Sequence, residues 1–381
     1  MLFQYRLEHY QKMQKQERLI DNCYSGLRKI QVSSETEYDN KVEDLFNDES
    51  DSVYYRSYYH GLFKVNHVSA FSYGDTIGKS SFSAPFEIKI NPALILKDNN
   101  YVLALSGNSK IVGNCFVPKG KINTTVFKGE IYKNKEPVVG NIEQSKSPFP
   151  ELNPEYASLM EQNIDKITNY SFSDILPEKD TIYNSFFNPT TIFRVNDGWS
   201  LYQKSIFGNV TLVSDNPLDI PGNCKLQDVV IIAPVISISE GFEGRVQLFA
   251  TDTVIIQNGV SLLFPSAIYV VPNLEIKPLV LLSENSATNG VIVIAGNDNP
   301  NHLLNIENGA VINGLVYNAG NCQLEGKING SLFSHLMYQR DASAIRYNLI
   351  YNGQIRSTKN TALINFTTTG KPLDFLAWVK E

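Results

Sequence analysis

Between Gly208 and Val271 the chain repeats one short unit about every 18 to 20 residues, and that period limits the architectures open to it. Val210–Val213, Val229–Ile232 and Val246–Phe249 share one register, and Ala267–Val271 follows at the same interval. A second family lies between them: Leu218–Ile220, Val235–Ile238 and Val254–Ile256. Each run is mostly β-branched or aromatic and is closed nearby by Gly, Asn, Asp or Pro. Short strands in recurring families are what a parallel β-helix needs, since each coil buries its apolar face only against its neighbours. The expected fold is therefore mainly β: a right-handed parallel β-helix with an N-terminal α-helix and a helical interruption. The alternation places Val210, Leu212, Val230, Ile232, Ile236, Ile238 and Ile255 in the interior.

Composition supports a β-rich globular chain. Of 381 residues, 43% are hydrophobic and 19% charged, with 20 Tyr and 20 Phe against 4 Met. Turns such as Asp98-Asn99-Asn100 supply residues that tolerate positive φ. The net charge of -6 argues against nucleic acid, because no basic stripe is present to neutralise phosphates. No stretch approaches the roughly 20 apolar residues of a membrane span.

Cys23, Cys115, Cys224 and Cys322 lie far apart, with no CxxC spacing, so zinc is not indicated. Three of them close a Gly-Asn-Cys triplet. A pair of disulfides is one reading; a small apolar residue filling the coil interior after an Asn turn is preferred.

Along the chain, residues 1–52 read as a stalk helix followed by an acidic linker. Phe3, Leu7, Tyr10 and Met13 follow helical spacing, and Ile20, Cys23, Leu27 and Ile30 resume it across a polar stretch. Residues 33–52 are acidic and read as solvated. Residues 53–143 form a β-rich entry region and the first coils, with Tyr54, Tyr55, Tyr58 and Tyr59 packing one ring face on a neighbour or stacking on sugars. Gly120-Lys-Ile-Asn123 recurs as Gly326-Lys-Ile-Asn329, and Ile111-Val112 matches Val311-Ile312, so both segments belong to one stack. Residues 144–198 are a proline-rich, partly helical interruption: Asn153-Pro154 is an Ncap and N1 pair for a helix to about Thr168, and Phe186, Phe187 and Phe193 pack it on the coils. Residues 199–343 hold the main stack and 344–381 cap it.

No catalytic motif stands out. Pectin-cleaving hydrolases of the fold use clustered Asp, a Gly-His-Gly turn and an Arg-x-Lys motif; His9, His60, His67, His302 and His335 lie in no such turn. The weak catalytic candidates are Asp228, Arg245 and Asp252, on neighbouring rungs within about 10 Å of one another if rungs stack at ~4.8 Å. The competing reading is a surface ion pair of little worth. Nucleophile elbows, phosphate loops and dinucleotide fingerprints are missing from the sequence, and no cofactor or metal is assigned.

At Ile111-Val-Gly113, Ile312-Asn-Gly314 and the Gly-Lys-Ile-Asn repeats, the coils resemble those of right-handed β-helix proteins such as the bactofilins. The N-terminal helix with its following β region resembles the soluble part of pilin-like proteins. Together these resemblances imply a non-enzymatic structural or adhesive scaffold of the bacterial cell envelope, working with protein partners or glycans. The alternative is a carbohydrate-active β-helix enzyme or lectin. Leu2, Phe3, Tyr5 and Arg6 match the interfacial exit of a membrane-spanning segment, so an apolar anchor before Met1 is expected, against the alternative of a cytoplasmic protein.

Overall fold

The apolar spacing at the N-terminus gives a single helix, α1 (Leu2–Val32), in the computed structural model. The structure describes residues 2–32, 40–47, 49–85, 92–145, 148–154, 157–158, 160–161, 165, 174–175, 177–195, 200–271, 279–296, 303–342, 344–357 and 373–379. It is mainly β and divides into two units. One holds Met1–Phe86, Ser185–Pro189 and Thr369–Glu381; the other holds Glu87–Asn184 and Thr190–Thr368.

In the first unit, α1 lies on an antiparallel sheet ordered β1 (Lys41–Glu43), β2 (Ser52–His60), β3 (Phe63–Ser72), β4 (Asp75–Pro85) and then the strand Leu373–Trp378. The last strand comes from the far end of the chain, so the whole second unit is inserted between β4 and its sheet neighbour. Leu19, Cys23, Leu27 and Ile30 pack on Val53, Tyr55, Val68 and Ala70. This is the expected stripe with Leu19 in place of Ile20, which faces solvent. Gly26 permits the close approach, since a Cβ there would lie 2.8 Å from Val68 Cγ1. The first half of the helix is exposed, Phe3 to 79% and Tyr10 to 60%.

The acidic segment departs from a solvated linker. Residues 33–39 lie outside the described residues, but Lys41–Glu43 forms β1 against β2, and Glu43 pairs with Lys29. Asp51 is buried because Asn22 donates to it at 2.6 Å and Arg18 pairs with it at 2.7 Å, donors that offset the loss of water. Tyr55 is fully buried under the helix, and Tyr58 donates to the Phe186 carbonyl at 2.9 Å.

The second unit is built on parallel pairing. The chain returns to the same ladders at intervals close to the sequence repeat: Gln227 pairs with Arg245, Leu212 with Ile231, and Ile231 with Leu248. One inward ladder runs Phe193, Leu212, Ile231, Leu248, Ile268, Ile292, Val316, Leu332, Leu94, Cys115. A second runs Leu218, Ile236, Val254, Val280, Leu304, Cys322, Met337. Residues from both form one apolar core. Antiparallel hairpins over residues 208–271 are excluded by this register.

Val210, Leu212, Ile236 and Ile238 lie in that core as expected, but Val230, Ile232 and Ile255 do not. Their neighbours Val229, Ile231, Val254 and Ile256 point inward instead, while Val230 and Ile232 are buried on the opposite face and Ile255 is half-buried. A strand apolar at every position carries no parity signal, and a one-residue slip reverses every side chain.

The order of the rungs also differs from the order of the chain. Leu94–Leu96 pairs with Leu332–Ser334, and Gln354–Arg356 inserts between Lys327–Asn329 and Lys110–Val112. The segment expected to form the first coils therefore extends the stack beyond its C-terminal rung, and Val138–Gln144 ends it. Its pairing satisfies N–H and C=O groups that the strand Lys327–Arg340 would otherwise leave open. Ile312, Ile328, Ile355 and Ile111 share one ladder, so the matched apolar pairs do belong to a single stack.

Two polar devices hold the rungs together. Asn289, Asn313 and Asn329 form a ladder: Asn313 Nδ2 donates to Asn289 Oδ1 at 2.7 Å, Asn329 Nδ2 to Asn313 Oδ1 at 2.8 Å, and Asn289 Nδ2 to the Leu262 carbonyl. Beside it Gly290, Gly314 and Gly330 stack at φ +146°, +153° and +153°. No side chain fits there, because a Cβ on Gly314 would sit 1.7 Å from the Gly290 carbonyl oxygen.

In the proline-rich interruption, the Ala157 N–H donates to the Asn153 carbonyl at 3.0 Å, the first bond of the expected helix. Pro154, Ala157, Ser158, Met160, Glu161 and Asp165 are helical; the remainder to Thr168 lies outside the described residues. The three phenylalanines do not pack this segment on the coils. Phe186 and Phe187 lie on the antiparallel sheet, against Phe82 at 5.5 Å and His67 at 4.3 Å, and Phe193 belongs to the inward ladder. Phe149 takes the expected role instead, with its ring 5.8 Å from that of Tyr317.

Candidate functional site

Asp228 and Arg245 come together, and Asp252 does not join them. Asp228 occupies a bulge between Gln227 and Val229 with φ +65°, which turns its carboxylate toward the next rung. Arg245 Nη2 donates to Asp228 Oδ2 at 2.6 Å, and Nε faces Oδ1, giving a two-pronged pair. The Asp228 side chain is fully buried and that of Arg245 only 13% exposed, so this is not the surface pair of small worth. A cleft of about 500 Å³ borders Arg245, but the guanidinium is turned into its partner. Asp252 lies beyond the corner after Ala250 and accepts a bond from its neighbour Thr253 at 2.8 Å. The trio therefore provides a structural clamp on a bulge and one separate carboxylate.

The cysteines fill the core. Cys115, Cys224 and Cys322 are buried among its apolar residues, each thiol is pushed up by burial, Cys115 and Cys224 to about 12, and Cys23 is buried under α1. Among the described residues no group of three or more His, Cys, Asp or Glu is arranged to hold a metal ion. Among them also, no helix is long and apolar enough to cross a membrane.

A more concave site lies on the outward face of the parallel stack. There Phe249, Tyr269, Val293, Tyr317 and Phe333 occupy one ladder. Phe249 and Tyr269 lie 5.8 Å apart, Tyr317 and Phe333 6.4 Å. Residues Pro148–Leu152, Ala157 and Glu161 line the other side of a cleft of about 650 Å³, with Tyr269, Ala295, Gly296, Tyr317 and His335 across from them and Lys97 and Asp98 nearby. Phe149 meets His335 edge to face at 4.5 Å. The Tyr269 phenol is held well above its ordinary range, first by burial and then by the charge of Glu161 and by Tyr317. Asp98 accepts a bond from Gln144 Nε2 at 3.3 Å. Among the described residues, three carboxylates, those of Asp98, Glu151 and Glu161, thus border the cleft against one lysine.

Sequence reading missed this site. Its wall sits in a segment without periodicity, and its floor residues are far apart in the chain until stacking aligns them. The signal present in the sequence was an aromatic at the same position of four of five repeats, at Phe249, Tyr269, Tyr317 and Phe333, with Val293 between them.

No family model matches the chain. No curated relative matches it either. Among solved structures it is similar to the crystal structure of the competence-associated pilin ComZ from Thermus thermophilus. The likeness has 10% identity over 89% of this chain and 86% of that one, with a TM-score of 0.23. At that score the overall folds are not shown to be shared.

Proposed function

We propose that this chain is a non-enzymatic structural subunit of the bacterial cell envelope. In this reading the parallel stack is a right-handed β-helix inserted into a pilin-like helix-and-sheet module. The observation that carries the reading is the insertion itself: the parallel unit enters after β4, and the chain returns to pair Leu373–Trp378 with β4. An arrangement of this kind supports a division of labour, with the helix-bearing module for attachment and the stack for presentation to proteins or glycans. The first half of α1 supports an attachment role, since Phe3, Tyr5, Leu7, Tyr10 and Met13 are all exposed on it. An apolar anchor ahead of this segment would place it at the membrane interface. The stack's parallel pairing from rung to rung, with its Asn and Gly stacks, suits a spacer or adhesive face better than a hinged active site.

Fractionation of cells expressing the complete natural gene tests the location. Recovery in the envelope fraction is expected, and recovery as a soluble cytoplasmic product would overturn it. A panel of acidic and neutral polysaccharides tests the absence of catalysis. Depolymerisation by the purified protein that is lost in Asp252→Asn would replace the scaffold reading with the carbohydrate-active one.

A further inference from the structure

We propose that the cleft between the Pro148–Leu152 segment and the parallel stack binds an organic ammonium group carried on a compact body, such as an amino sugar or a choline. The inference is independent of where the protein resides. Three observations carry it. The volume, about 650 Å³, falls in the range of small-molecule sites, which run from about 300 to 1,000 Å³. Its lining is aromatic: Phe149, Tyr269, Tyr317 and His335 border one cavity, and π-faces attract cations. Its described lining is unbalanced in charge, with three carboxylates against Lys97, so the cavity focuses negative potential.

The same features select against other ligands. A phosphate or uronate would meet like charge at Glu161 and Asp98. A neutral sugar would gain ring contacts but no Coulombic attraction. An ammonium gains both, and its apolar or sugar body fills the remaining space against Phe149.

The test is titration calorimetry on the full chain with choline and a glucosamine tetrasaccharide. Neutral counterparts of matching shape, 3,3-dimethylbutanol for choline and a glucose tetrasaccharide for glucosamine, serve as references. At least one ammonium probe is expected to bind with a Kd below about 1 mM, tenfold or more tighter than its neutral counterpart, and to weaken as salt is raised, as a charge-assisted contact should. Which probe binds identifies the body the site prefers. Glu161→Gln is expected to weaken that probe by roughly tenfold, the scale of a single desolvated cation contact, and Phe149→Leu by a similar factor. Glu161 is exposed, so its variant keeps the parent melting temperature and separates recognition from folding. The proposal is overturned if no ammonium probe binds below about 1 mM, if the neutral counterpart binds equally well, or if Glu161→Gln leaves the affinity unchanged.

Discussion

Replacing Gly314 by Ala puts a methyl group where the stack has no room for one. The new Cβ would lie 1.7 Å from the Gly290 carbonyl oxygen and 2.8 Å from its carbon, all of it backbone that cannot rotate away. The rungs would have to part locally, breaking parallel hydrogen bonds on both sides, and overpacking of this sort costs about 1–3 kcal/mol. A non-glycine residue would also be forced into φ near +153°, adding roughly 1–3 kcal/mol of strain. The sum, about 2–6 kcal/mol, is a large part of a typical domain's stability of ~5–15 kcal/mol. For a unit of this size roughly 2 °C is lost per kcal/mol, so the thermal midpoint should fall by roughly 4–12 °C. Scanning calorimetry followed by far-UV circular dichroism reads it. Gly259→Ala is the reference: φ there is +67°, yet nothing lies within 4 Å of the added Cβ, so only strain of about 1 kcal/mol is expected. Equal losses for the two variants would refute the claim that rung-to-rung contact dictates glycine at position 314.

Asn313→Ala removes the middle of the asparagine ladder and leaves Asn289 Oδ1 and Asn329 Nδ2 without those partners, so urea denaturation should show a loss of about 2–3 kcal/mol. Asp228→Ala strands the Arg245 guanidinium and should cost about 3–5 kcal/mol, while Asp252→Ala should change stability by less than about 1 kcal/mol in the same measurement. Gly26→Leu would drive a side chain into Val68 and Tyr55 and lift α1 from its sheet, seen as lost protection of the β3 amides in hydrogen exchange. His67 is buried, with Ser80 on one ring nitrogen and Ser69 on the other; burial first and Arg56 second lower its pKa to about 4. Because the unfolded chain binds the proton near pH 6.5 and the folded one does not, this contribution is present above pH 6.5 and is lost as pH falls toward 4. The pH dependence of the melting midpoint between those values should flatten in His67→Asn.

The period of residues 208–271 determined the parallel pairing, since β-branched runs recurring at one interval bury themselves best by stacking on one another. Helical spacing likewise determined α1. The Gly-Asn-Cys triplets were legible as core positions for the same reason. What depends on two distant segments meeting was not legible. The parity of Val229–Ile232 was decided by which face the neighbouring rungs left apolar. Residues 94–144 lie past the C-terminal rung because an open strand edge accepts any segment of matching register, and sequence order does not record which edge is free. The return of Leu373–Trp378 to β4 is of this kind too. So is the aromatic cleft, whose residues span positions 97 to 335 and become one site only when the ladders align them. Local periodicity is written residue by residue; the choice of partner belongs to the fold, because many segments of a β-rich chain could satisfy the same open hydrogen bonds and tertiary packing selects among them.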